Sequence, residues 1–111
     1  MNQLSALGVL FLAAILEAGG DAIVRFGLHA SRGPTRIGLL VSGAIVLFAY
    51  GYVVNTPQWD FGRLLGIYVV FFFVVAQAIS WLAFDQAPTR LVYVGGAFIV
   101  LGGLILSLGS R

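Results

Sequence analysis

The sequence predicts an all-α integral membrane protein, a bundle of four spanning helices. Two observations carry that expectation. Of the 111 residues, 60% are hydrophobic and only 9% are charged, whereas a soluble domain carries about 25% charged residues. The apolar residues also fall into four long runs, each near the ~20 residues that cross a bilayer as a helix. A single domain over residues 1–111 follows, with little chain left for anything outside the membrane.

The first span is expected at 4–28. Its start has no basic residue and its apolar run outlasts a signal-peptide core, so it reads as a retained helix. The stretch from His29 to Arg36, with Gly33 and Pro34, breaks the pattern. The second span is expected at 37–54. Pro57 then interrupts the chain, and Trp59 falls where an interfacial aromatic belongs. The third span is expected at 61–84. Its centre, Tyr68 to Ala76, is rich in strand formers, but a lone strand cannot satisfy its backbone in lipid. Asp85 to Arg90 forms the third loop, and 91–108 is the fourth span. Such short loops are expected to make consecutive helices antiparallel neighbours in a compact bundle. The triplet Pro-Thr-Arg occurs at 34–36 and again at 88–90, hinting at a duplicated hairpin.

All six cationic side chains are arginines. Four lie in or beside loops, so they read as topology signals and headgroup contacts rather than a nucleic-acid patch. Arg25, Arg32, Arg36 and Arg90 gather toward loops one and three, against Arg63 and Arg111 on the other side. That bias puts both termini outside the cytoplasm of a bacterial-type inner membrane. With no cysteine, disulfides and thiolate metal sites are excluded. His29 is the only histidine, so a multi-histidine metal site is excluded too. No nucleophile with a nearby base and no phosphate-binding loop stands out. No enzymatic activity, metal or cofactor is expected.

Glu17 is the most informative residue. It falls near the middle of the first span, where a carboxylate costs about 2.5–3.5 kcal/mol to insert. Such a group faces a bundle interior or a watery cavity and handles ions or protons; the plain alternative is a protonated glutamate that only ties helices together. Asp21 and Arg25 follow at four-residue intervals, so all three share one helix face. The simplest reading of Asp21 and Arg25 is a mutual ion pair, which leaves Glu17 unpaired on its own helix. Depth and the Asp21 carboxylate both penalise a charged Glu17, so proton and cation compete for it. Tyr68 is a candidate aromatic wall for a cation. Gly20 permits close approach beside the acidic stripe, and Gln77 and Ser80 are expected to hydrogen-bond between helices toward Glu17. In the fourth span Gly96 and Gly103 lie two turns apart, a small-residue face suited to tight helix contact, either within the chain or at a dimer seam. The dimer seam is favoured.

The segment from Leu16 to Phe26, with Glu17, Gly20 and Arg25, resembles the first-helix motif of the small multidrug resistance type of four-helix transporters. These belong to the wider drug/metabolite transporter superfamily. Gly62-Arg63, Trp81-Leu82, Asp85 and the run from Gly96 to Gly103 are similar to the YnfA-like branch of inner-membrane proteins. The resemblance covers nearly the whole chain and implies a dimer in which two Glu17 carboxylates share one substrate or two protons. Two departures stand out. Val69-Val70-Phe71-Phe72 follows Tyr68 where typical exporters have a small-residue kink. Asp21 replaces a small hydroxyl residue.

The function expected is therefore export of a small organic cation in exchange for protons at Glu17, with Asp21 as accessory acid. The partners expected are the lipid bilayer, the cation, protons and a second chain, in a homodimer or heterodimer. A non-transporting membrane scaffold or partner subunit, or a flippase-like subunit for a lipid-linked substrate, is the alternative.

Overall fold

The computed structural model describes residues 2–108. Arg111, counted above toward topology, lies outside them. Four helices follow one another: α1 (Gln3–His29), α2 (Gly33–Val54), α3 (Phe61–Phe84) and α4 (Arg90–Leu108). Each is long and apolar enough to cross a bilayer. The ends are set by local chemistry. The Asn2 side chain accepts from the Ser5 N–H at 2.7 Å and caps α1. Arg36 reaches back across the first loop and donates to the Leu28 carbonyl at 3.2 Å, so this arginine caps a helix C-terminus as well as marking a membrane side. Thr89 Oγ1 accepts from the Val92 N–H at 3.3 Å at the start of α4. Asp85 stops α3 in the left-handed conformation, φ 55° and ψ 40°.

One boundary differs from expectation by more than a single residue. α2 begins at Gly33 rather than 37, because Pro34 sits in the first turn. There a missing N–H costs nothing and the fixed φ is already helical. Gly33 itself has φ +61°, which explains a glycine at that entry.

The helices form an open row rather than a closed bundle. α1 packs most extensively on α2, then on α3, and α4 packs on α3. No residue of α2 comes within 8 Å of α3, Cα to Cα, so these consecutive helices are not direct neighbours. α1 is the axis of the row. Its buried residues Ala6, Leu10, Ala13, Ala14 and Ala18 are small apart from the leucine, which lets α3 approach closely. Leu10, Ala13 and Ala14 are fully buried and join Val54, Leu64, Ile67, Tyr68 and Val75 in the core. The outer faces of α2 and α4 carry large apolar side chains such as Phe48 and Phe98, the surface that lipid covers.

Glycines set both hairpins. A Cβ at Gly43 would stand 2.6 Å from Val24 Cγ2 and 3.2 Å from the Gly20 carbonyl oxygen. A Cβ at Gly20 would stand 2.8 Å from Leu47 Cδ2. Gly20 is therefore a crossing residue of α1 and α2, not a lining residue of the acidic stripe. Three residues beyond Glu17, it lies one turn along the same side of α1, where Leu47 of α2 packs directly over it. In the second hairpin the positions of a Cβ at Gly96 and Gly103 are filled by Phe73 and Val70 of α3, and that at Gly66 by Leu106 of α4. The face expected to form a dimer seam is thus occupied within the chain. The bulky run after Tyr68 has the same explanation: Val70 and Phe73 are knobs for the glycine holes of α4, and α3 runs through it without a break.

Gly43→Ala is expected to lower stability by about 1–3 kcal/mol, because the Gly20 backbone cannot move aside cheaply. Gly38→Ala, with open space around it, should leave stability unchanged or slightly raised. Thermal unfolding of both variants in detergent, followed by circular dichroism, checks the contrast.

Candidate functional site

Glu17 lies at the middle of α1 and is half-buried. The Tyr68 hydroxyl donates to its Oε1 at 2.7 Å, across 51 residues of sequence. The same hydroxyl stands 3.4 Å from the Ala13 carbonyl, a weaker second acceptor. Tyr68 is only 4% exposed, so its ring is fixed by packing before the hydrogen bond is counted. Phe72 flanks it on α3, ring centroids 6.2 Å apart. Tyr50 of α2 flanks it on the other side at 5.6 Å, the rings inclined by 33°.

Sequence reasoning missed Tyr50. It stands beside the tyrosine that holds Glu17. The signal was available in the hairpin. Gly20 meets Leu47 across the antiparallel pair, and the same register carried one turn further sets Glu17 against Tyr50. α2 and α3, which do not pack backbone to backbone, thus meet through two tyrosines around one carboxylate.

Asp21 and Arg25 continue the stripe toward the loop-one end of α1, and both side chains are exposed. The expected ion pair is not formed. Among the described residues no Asp21–Arg25 contact falls within 4.0 Å. Arg25 instead extends over Phe84 of α3, its guanidinium carbon 5.2 Å from the ring centroid, a cation–π arrangement. Between α1 and the end of α3 lies a cavity of about 220 Å³ lined by Asp21, Arg25, Ser80, Phe84 and Gln86 among others. Ser80 is not bonded to Glu17. Its hydroxyl donates to the Gln86 carbonyl at 3.1 Å and stands 3.4 Å from Gln86 Oε1, pinning the third loop over the cavity.

Gln77 is elsewhere. It lines a separate apolar groove of about 540 Å³ between α3 and α4, beside Phe73 and Gly96. The reason is periodicity: nine residues after Tyr68 is two and a half turns, so Gln77 points to the opposite face of α3. The structure thus brings Glu17, Tyr68 and Tyr50 together, puts Asp21 one turn away with Ser80, and leaves Gly20, Gln77, Gly96 and Gly103 to helix packing and the outer groove.

A model of the family described as "Uncharacterised BCR, YnfA/UPF0060 family" matches residues 4–111. The chain belongs to that family. A UPF0060 membrane protein of Frankia casuarinae is 34% identical over 114 residues, covering 100% of this chain and 99% of the relative. One from Mycolicibacterium vanbaalenii is 40% identical over 99 residues, covering 86% of this chain and 87% of the relative. One from Nocardia farcinica is 32% identical over 112 residues, covering 100% and 98%. No solved structure matches. This YnfA/UPF0060 chain is accordingly a membrane protein with four spans.

The Glu17–Tyr68 bond should be visible as coupling. A double-mutant cycle of Glu17→Ala and Tyr68→Phe, read as unfolding free energy in detergent, is expected to show non-additivity within the roughly 0.5–3 kcal/mol typical of bonded pairs. Strictly additive effects would show that the two side chains do not act on one another.

Proposed function

We propose that this protein is a secondary transporter of the inner membrane that exchanges a small organic cation for protons at Glu17. The observation that carries this reading is the held carboxylate itself. Glu17 sits at the middle of a spanning helix, fixed by the Tyr68 hydroxyl, yet only half-buried. A carboxylate so placed takes a proton or a cation, and each displaces the other. Asp21 is the accessory acid, a second negative charge that attracts cations toward the site. Tyr68 is buried and serves as the hydrogen-bond donor; the half-buried rings of Tyr50 and Phe72 beside it offer faces worth about 0.5–2 kcal/mol to a desolvated cation.

In this reading the open side of the stripe is closed by a second chain, in a homodimer or a heterodimer with a related protein. Two Glu17 carboxylates would then serve one substrate or two protons. The interlock of Val70 and Phe73 with Gly103 and Gly96 makes α3 and α4 one unit. The rocking that alternates access would occur between that unit and α1–α2, across the small residues Ala13, Ala14 and Ala18.

In proteoliposomes loaded with a pH dye, addition of small ammonium or guanidinium ions is expected to move protons, and Glu17→Gln to abolish the movement while leaving the helix content intact. Proton movement absent for every ion tried, or unchanged in Glu17→Gln, would favour the scaffold reading instead. Reporter fusions at the C-terminus are expected to read as non-cytoplasmic. Equal signals on both sides would mean mixed insertion and an antiparallel homodimer, and a purely cytoplasmic signal would contradict the orientation drawn from Arg25, Arg32, Arg36 and Arg90.

A further inference from the structure

The cavity between α1 and the end of α3 is not needed to hold a proton at Glu17, yet Asp21, Arg25, Ser80 and Gln86 interrupt its otherwise apolar lining. Its volume of about 220 Å³ is room for roughly seven waters at ~30 Å³ each. Asp21 and Arg25 stand on one wall, a helical turn apart, which is about 6 Å along the axis. They do not neutralise one another, because Phe84 holds the guanidinium on the α3 side at 5.2 Å from its ring. Two opposite charges therefore border the same space, each short of a counter-charge.

The depth of the cavity matters. Arg25 is one turn from the end of α1 at His29, and Phe84 is the last residue of α3. Gln86 of the third loop borders it and is fastened to Ser80. The site thus lies at the edge of the hydrocarbon, where an unpaired charge is costly and lipid headgroups begin. A simple cation entering there would meet Asp21 but be repelled by Arg25. A simple anion would meet Arg25 but be repelled by Asp21. A molecule carrying both charges, separated by about a helical turn, satisfies both.

We propose that this cavity binds a small zwitterion of the phosphoethanolamine class, its ammonium on Asp21 and its phosphate on Arg25. The Ser80 and Gln86 side chains border the same space. A phospholipid headgroup and a free amino-phosphate both present this chemistry. The site shares Asp21 with the exchange proposed at Glu17, but its test reads ligand binding rather than proton movement and is independent of that exchange.

Ala18, Ala22 and Ala76 line the cavity, and their methyl groups report on it directly. With methyl-labelled protein in phosphatidylglycerol nanodiscs, O-phosphoethanolamine is expected to shift these signals saturably. Ethanolamine alone and inorganic phosphate alone should bind about tenfold more weakly or less, and Asp21→Asn and Arg25→Gln should each erase the preference. Nanodiscs containing phosphatidylethanolamine separate the sources. Signals already shifted, and no longer responsive to O-phosphoethanolamine, assign the site to lipid, whereas signals still responsive assign it to a free zwitterion. Equal binding of the two single-charge ions, or no shift with any of the three probes in wild-type protein, overturns the proposal, and neither result depends on a variant folding.

Discussion

The rest of the structure depends on how one carboxylate is kept at membrane depth. Inserting Glu17 costs about 2.5–3.5 kcal/mol. A hydrogen bond to a charged group contributes about 1.5–3 kcal/mol, so the 2.7 Å bond from Tyr68 offsets a large share of the cost. That bond is possible only because α3 lies close to α1, and α3 lies close because Ala13, Ala14 and Ala18 leave room. Small residues, helix approach, tyrosine reach and carboxylate tolerance form one chain of cause.

The same logic explains the shape. α1 carries the acid and is the axis of the row, with α2 on one side and α3 on the other. Gly20 and Gly43 draw α2 in until Tyr50 comes alongside the Tyr68 ring. Gly96 and Gly103 draw in α4, but on the far side of α3, where the side chain they admit is Phe73 or Val70. α4 therefore supports α3 and touches nothing of the acidic stripe. The stripe from Glu17 to Arg25 is left open along one side, and its two ends differ: a tyrosine-bound acid at the middle of the helix, and an acid and a guanidinium held apart near the surface.

The four helices were legible because hydropathy and length leave little alternative in lipid, and Pro34, Pro57 and Pro88 punctuate the runs. The start of α2 was misread only because proline breaks a helix interior but fits a first turn. Glu17 and Tyr68 were legible as separate oddities, a charge and an aromatic at depth. Their contact is a fact of helix approach that a pattern of residue types does not contain. Tyr50 and Gln77 show what more could have been read: hairpin register sets the first beside Glu17, and counting turns from Tyr68 removes the second. Whether Arg25 meets Asp21 or Phe84 was not legible, since two partners of similar reach compete and one of them comes from another helix. The glycines of α4 were legible as a packing face, but not which helix they receive.

In the proposed exchange, Glu17 trades a proton for a cation while Tyr68 holds it in place. Infrared difference spectroscopy of the protein in nanodiscs, with Glu17→Gln to assign the signal, tests it most directly. A protonated-carboxyl band that belongs to Glu17 is expected to fade as pH rises, and to fade at constant pH when a small organic cation is added. A Glu17 band that ignores both pH and every small organic cation would contradict it.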